Sequence, residues 1–322
     1  MKTIVCLLQL TSQEKEKFRS AAEGNPIYFL SRNQLSETES QKLLLQANMI
    51  IGNPPPELIR HSPNLELLQL QSAGTNAYLE DVLSPQTFLA NATGAYGLAI
   101  SEYLVGMVFQ IYKKLSFYYE NQHQKLWKDE GTVRSVFGKT VLVVGAGDIG
   151  TEFARRMKAL GCHTIGVRRK DLTFCEAFDE MFLIGQLDSL LPRADIVSLS
   201  LPSTAQTYHL FDDRRISLMK PEAILLNVGR GDVLDTNALI QALNAERLSA
   251  AALDVTDPEP LPKDHPLWNA KNLYLTPHIS GGNHLEETAQ KIHEICLKNL
   301  TAFLHDAPLG NLVDFQTGYK AK

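Results

Sequence analysis

The stretch that most limits the fold of this chain is Val141-Leu142-Val143-Val144-Gly145-Ala146-Gly147-Asp148-Ile149-Gly150. A β-branched apolar run passes straight into Gly145-x-Gly147-x-x-Gly150, and Phe153, Met157 and Leu160 then recur at helical spacing. Strand, tight turn and helix in that order are the setting that a dinucleotide-binding fingerprint requires. Gly145 lets the chain turn sharply. Gly147 leaves room for a pyrophosphate to approach the backbone, and Gly150 lets helix and strand pack closely. The helix start at Asp148 and Ile149 offers unpaired N–H groups and a positive dipole end to phosphate.

The end of the next strand bears on which dinucleotide is bound. His163 to Val167 reads as that strand, and it runs into Arg168-Arg169-Lys170. An NAD site has an Asp or Glu about twenty residues past the fingerprint, where it accepts from the ribose 2′-hydroxyl. Here Arg168 stands eighteen residues after Gly150, and no acid follows before Asp171. A guanidinium pairs with a 2′-phosphate in forked geometry, whereas a carboxylate repels it. The expected cofactor is therefore NADP, NADPH preferred over NADH, clamped by Arg168 and Arg169 with Lys170 as a lesser candidate. The alternative is a solvated basic cluster at a strand end.

At 322 residues the chain has room for two domains with ample cores. The net charge of −5, with no concentrated basic surface beyond Arg168–Lys170, points to no nucleic-acid or anionic-membrane partner. Cys6, Cys162, Cys175 and Cys296 have neither metal-ligand nor CxxC spacing, so no metal site is expected, and packed thiols suit a reducing, cytoplasmic setting. The first ten residues read as a β-strand rather than a signal peptide. Residues 99–119 are the most apolar long stretch, but Glu102, Gly106, Gln110, Lys113 and Lys114 interrupt it. It reads as a helix buried on several sides and ending near Glu120, not as a membrane span. Trp127, in the polar segment that follows, needs an apolar cover, either a subunit interface or a local cluster.

Short apolar runs at 3–10, 27–30, 48–51, 65–70 and 87–90 alternate with amphipathic segments, the pattern of a small parallel α/β domain. Pro54-Pro55-Pro56 should start a helix through Arg60. The segment Gln71-Ser72-Ala73-Gly74 follows the fourth run, where backbone N–H groups either hold a small anion or form a plain glycine turn. Residues 91–97 form a glycine-containing joint. After the fingerprint, strands are expected at 195–202, 223–228, 251–255 and 272–278, with Asp235 or Thr236 capping a helix that runs to Asn244. Asn283 and Glu286 resemble a capping pair for a last helix bearing Ile292, Cys296, Leu300 and Phe303 on one face. The expected division is a discontinuous domain, 1–98 with 283–322, and a cofactor domain at 99–282.

Three titratable residues fall in loops just past strands of the cofactor half: Arg230, Glu259 and His278. Arg230, flanked by Gly229 and Gly231, is suited to fork onto a substrate carboxylate and polarise the adjacent carbonyl. Glu259 lies between Pro258 and Pro260. A buried carboxylate beside His278 would stabilise the imidazolium and keep a proton ready for a ketone oxygen.

The motifs Gly145 to Gly150, Asn227-Val228-Gly229-Arg230-Gly231, Leu253-Asp254-Val255 through Glu259-Pro260-Leu261, and Thr276-Pro277-His278-Ile279-Ser280-Gly281 resemble, in order, those of the D-isomer-specific 2-hydroxyacid dehydrogenases. The likeness spans nearly the whole chain and includes Leu201-Pro202 with Thr207 after it. It implies two doubly wound parallel-sheet domains, a flavodoxin-like substrate domain and a Rossmann dinucleotide-binding domain. It further implies His278 as general acid/base with Glu259 as partner, Arg230 as the substrate-binding group, Asp254 at the nicotinamide end, and Pro202 beside the cofactor. Ser72, Ala73 and Gly74 match the loop that holds the substrate carboxylate, and a homodimer built on cofactor domains is implied too. Arg168 resembles the NADPH-dependent glyoxylate and hydroxypyruvate reductases of the family. The implied reaction is reduction of a small 2-oxo acid to the D-2-hydroxy acid. The rival is a catalytically silent NAD(P)-sensing interaction protein on the same fold, which would have no need of the His278 and Glu259 pair.

Overall fold

The structure, a computed structural model, describes residues 1–79, 81–170, 172, 173, 175–282 and 285–315. It divides into two compact units, Met1–Ala95 with Asn283–Lys322, and Tyr96–Gly282. Both are α/β units built on sheets whose strands all run parallel.

In the first unit, strands β1 (Ile4–Cys6), β2 (Ile27–Phe29), β3 (Met49–Ile51), β4 (Leu67–Gln69) and β5 (Phe88–Ala90) lie in the order β2-β1-β3-β4-β5. That is the flavodoxin-like order. β1, β3 and β4 are buried throughout, as strands covered on both faces must be. Helices α1 (Ser12–Ala21), α2 (Thr38–Gln46) and α3 (Pro56–Ile59) make the crossovers. Thr11 opens α1 with a capping box to Glu14, and Pro56 sits at the first position of α3, where its missing N–H costs nothing.

The second unit opens with α4 (Gly97–Tyr112) and α5 (Leu115–His123), and continues through β6 (Thr140–Val144), α6 (Asp148–Ala159), β7 (His163–Arg168) and β8 (Glu180–Leu183). A one-turn helix α7 (Leu187–Leu190) leads into β9 (Ile196–Leu199), α8 (Asp213–Ser217), β10 (Ile224–Asn227), α9 (Thr236–Asn244), β11 (Ala250–Leu253) and β12 (Leu273–Leu275). The seven strands lie in the order β12-β11-β10-β9-β6-β7-β8. The order reverses between β6 and β9, so the loops beyond those two strands flank the crevice in which doubly wound folds bind ligands. Asp235 caps α9 by accepting from the N–H groups of Asn237 and Ala238. The core is a contiguous apolar cluster that includes Leu142, Val144, Ile165, Val197, Leu225 and Leu253.

The first unit is completed by α10 (Glu286–Leu304), which buries Ile292, Cys296, Asn299, Leu300 and Phe303. His293 on α10 meets Glu14 of α1 at 3.0 Å. Asn299 bonds Gln69 of β4 and both the N–H and the C=O of Gly310, so the amides buried beside the sheet have partners. The expected cap at Asn283 lies outside the described residues.

Two local expectations are corrected, and one strand is added. The apolar helix does not run unbroken to Glu120: α4 ends at Tyr112, and Lys114, at φ +55 in a left-handed conformation, separates it from α5. Leu160 is 37% exposed, because it caps α6 instead of sitting on its buried face. β8, an edge strand that is half-buried all along, lacks the continuous apolar run that marks the inner strands and is not legible as a strand in the sequence. Cys6, Cys162 and Cys296 are buried and Cys175 is partly so, all four as free thiols. Among the described residues no helix is long and apolar enough to cross a membrane.

Candidate active site

The fingerprint turn follows β6 as the spacing requires. Gly145 has φ +105, and a Cβ there would lie 2.6 Å from the carbonyl oxygen of Ser200. A Cβ on Gly150 would collide with the Gly145 carbonyl and Val143. These two glycines therefore hold β6, α6 and the loop after β9 at close quarters. Gly147 differs: a Cβ there meets nothing within 4 Å, and the residue is exposed. The space beside its backbone is open, at the N-terminus of a three-turn helix, which is where a dinucleotide pyrophosphate fits. Asp148 starts α6 with Ile149 next to it, and its carboxylate lies against the first turn of α4: a Cβ on Gly97 would come within 2.8 Å of Asp148 Oδ1.

Arg168 ends β7, and its Nε–H donates to the Ala146 carbonyl at 2.8 Å. That bond draws the guanidinium back to the fingerprint turn. Arg169 follows, half-buried. Beyond β9, the Pro202 carbonyl accepts from Thr207 Oγ1 at 2.7 Å, and Thr207 also accepts from the Thr204 N–H at 2.9 Å. This closes the loop that carries Pro202 into a compact turn.

Arg230, Glu259 and His278 follow β10, β11 and β12, all at the carboxyl ends of neighbouring strands. Buried Asn227 builds the first loop, accepting from the Gly229 N–H at 3.0 Å and donating to the Arg230 carbonyl at 2.9 Å. Arg230 Nη1 donates to the Gly229 carbonyl at 2.7 Å. Burial lowers the pKa of its guanidinium, while the negative charges of Glu259 and Asp232 oppose that shift. Glu259 Oε1 lies 2.6 Å from His278 Nδ1. A carboxylate only accepts, so Nδ1 carries the hydrogen in this contact. The pair is not buried as the sequence reading supposed: the His278 and Glu259 side chains are 43% and 41% exposed.

Asp254 has a task that sequence motifs do not reveal. It is 1% exposed, and its carboxylate faces the loop after β12. Oδ1 accepts from Thr276 Oγ1 at 2.6 Å and from the Ile279 N–H at 2.9 Å; Oδ2 accepts from the Ser280 N–H at 3.0 Å and from the Ser280 hydroxyl. Four donors fill the lone-pair sites of one carboxylate. The Asp254 backbone carbonyl accepts the His278 N–H at 2.8 Å. His278 itself has φ +53, a left-handed conformation that costs a non-glycine residue about 1–3 kcal/mol and persists only where its surroundings over-determine it.

Ser72, Ala73 and Gly74 belong to the other unit, in the loop after β4. Asn53 donates to Ser72 Oγ at 2.9 Å, Ser72 Oγ donates to the Gly74 carbonyl at 2.8 Å, and Asn91 donates to the Ala73 carbonyl at 2.8 Å. Carbonyls and hydroxyl are thus tied inward. Among the described residues the N–H groups of Ala73 and Gly74 bond no other main-chain group outside helices and strands.

Gly231 sets the spacing of the loops after β10 and β11. A Cβ on it would overlap the backbone of Thr256 and Asp257, the turn that leads to Glu259. Gly231→Ala is expected to push the Arg230 and Glu259 loops apart and to lower kcat/KM by about 100-fold, with the far-ultraviolet circular dichroism of the wild type. Unchanged kinetics would show that this backbone contact does not govern the site.

With this geometry in place, likeness to known proteins can be judged. A family described as D-isomer specific 2-hydroxyacid dehydrogenase, NAD binding domain, matches residues 105–280. A glyoxylate reductase of Thermofilum pendens is 32% identical over 257 residues, 77% of this chain and 74% of that protein. A D-isomer specific 2-hydroxyacid dehydrogenase family protein of Aeromonas salmonicida has a crystal structure that superposes with a TM-score of 0.84 at 30% identity, covering 98% of this chain and all of that one. An NADPH-dependent glyoxylate/hydroxypyruvate reductase of Sinorhizobium meliloti, at 22% identity, shares the fold with a TM-score of 0.83 over 99% of this chain and 100% of that one. The chain, with its paired parallel sheets and its fingerprint turn, belongs to the D-isomer specific 2-hydroxyacid dehydrogenase family and carries that family's NAD-binding domain.

Proposed function

We propose that the protein reduces a small 2-oxo acid to the D-2-hydroxy acid with NADPH, using His278 and Glu259 as the acid–base pair and Arg230 to bind and polarise the substrate. The observation that carries this reading is the 2.6 Å contact from His278 Nδ1 to Glu259 in loops adjacent to Arg230. The bound cofactor supplies the hydride. Glu259 holds the Nδ1 hydrogen, so the proton on Nε2 of the imidazolium is the one delivered to the ketone oxygen. The Arg230 guanidinium opposes the negative charge that grows on that oxygen. In the unit formed by 1–95 and 283–322, the proposed substrate domain, the N–H groups of Ala73 and Gly74 are suited to hold a carboxylate.

The test is initial rates of cofactor oxidation with glyoxylate, hydroxypyruvate and larger 2-oxo acids, run with NADPH and NADH in parallel. Arg230→Ala should lower kcat/KM by about 100-fold or more. Wild-type kinetics in that variant would remove Arg230 from the mechanism, and no turnover with any acid would favour a silent sensor.

NADPH preference rests on Arg168, whose bond to Ala146 holds its guanidinium at the fingerprint turn. Arg168→Asp exchanges a forked cation for a repelling anion. The ratio of kcat/KM for NADPH over NADH should fall by roughly 10-fold or more, the scale of one lost charge-assisted hydrogen bond. A constant ratio would return Arg168 to the solvated-cluster reading.

We further propose a homodimer. Trp127 is fully exposed within the chain, and Leu115, Tyr119, Leu126 and Phe137 are exposed in the same segment, so no local cluster covers it. Sedimentation should give twice the chain mass of 35.9 kDa, and Trp127→Glu should shift it toward one copy. A wild-type chain that sediments as a monomer at micromolar concentration would overturn this.

A further inference from the structure

The catalytic loop after β12 hangs from a chain of hydroxyls that begins on α4. Tyr103 OH lies 2.7 Å from Thr276 Oγ1. Thr276 Oγ1 has a single hydrogen, and the Asp254 carboxylate, an acceptor only, takes it at 2.6 Å. Tyr103 must therefore be the donor, which fixes the direction of the chain: tyrosine to threonine to carboxylate. From the same carboxylate hang the Ile279 and Ser280 N–H groups and the Ser280 hydroxyl, on the residues immediately after His278. The His278 N–H closes the circuit on the Asp254 and Thr276 carbonyls at 2.8 and 3.1 Å. The left-handed backbone of His278 is thus over-determined by contacts to Asp254, with Thr276 bonded to the same carboxylate and to the His278 N–H.

We infer that Tyr103 is a positioning residue for the reaction: its hydroxyl holds Thr276 in the one rotamer that lets Asp254 keep the His278 imidazole on Glu259. Among the described residues the Tyr103 hydroxyl bonds Thr276, not His278, Glu259 or Arg230, and it acts through Thr276. Burial first, and the Asp254 charge in addition, push the phenol up to about 12, so the hydroxyl keeps its hydrogen at neutral pH. The inference rests on the proposed acid–base role of His278.

The experiment compares Tyr103→Phe, Thr276→Val, Thr276→Ser, the Tyr103→Phe/Thr276→Val double variant and His278→Gln in the full chain, with glyoxylate and NADPH. Tyr103→Phe should lower kcat by roughly 3–10-fold, the scale of one neutral hydrogen bond felt at the transition state, with KM for NADPH unchanged. Thr276→Val should lose at least as much, Thr276→Ser should retain most of the turnover, and the double variant should be no worse than Thr276→Val alone, since both break one chain. Wild-type kcat in Tyr103→Phe, or losses that multiply in the double variant, would overturn the inference. If Tyr103→Phe does not fold, the contrast between Thr276→Val and Thr276→Ser decides, and equal turnover in those two overturns it. An inactive His278→Gln beside a fully active Tyr103→Phe would sink the positioning role and leave the acid–base reading intact. An active His278→Gln would sink that reading and this inference with it.

Discussion

The buried carboxylate of Asp254 is the anchor on which the reactive edge of the seven-stranded sheet depends. It directly follows β11, an inner strand of the sheet, and gathers donors from the loop after the neighbouring strand. A carboxylate taken out of water is costly unless its lone pairs are filled. The loop supplies those donors, and in return its own N–H groups are satisfied. One charge thus serves two ends: it is tolerated in the core because the loop folds over it, and the loop holds a strained histidine because the charge is there.

Backbone contact does for Arg230 and Glu259 what Asp254 does for His278. Gly229 presses on Leu201 and Gly231 on the Thr256–Asp257 turn, in places where no side chain fits. Parallel strands put their carboxyl ends on one side, so three loops from three successive strands are crowded together there. Glycine is the residue that lets them touch. The placement of the three polar groups is then a matter of short, rigid connections and not of side-chain reach. The same economy of space appears at the fingerprint, where Gly145 and Gly150 press against backbone and Gly147 faces open space.

Much of this was legible in the chain. Inner strands of a parallel sheet need apolar residues on both faces, so β1, β3, β4 and β6 are readable as runs. A crossover helix can announce itself by its cap, as Asp235 does. Arg230, Glu259 and His278 stood out together, because all three fall in loops past strands of the half that carries the cofactor fingerprint. The edge strand β8 was not readable, since one solvated side dilutes its apolar pattern, and the break at Lys114 was not either, because a left-handed lysine leaves no compositional trace.

What the sequence by itself determined is therefore the periodic part: parallel α/β order, the fingerprint turn, and which strand ends carry titratable groups. These follow from local spacing and from the steric demands of glycine. Only the tertiary structure decided that Glu259 reaches Nδ1 of His278, that this pair stays partly in water, and that Asp254 faces the 276–280 loop with Tyr103 behind it. Those facts join residues 19, 22 and 173 positions apart. No pattern along the chain encodes a hydrogen bond over such separations, because it is the packing of the sheet, and not the spacing of the letters, that brings the partners within reach.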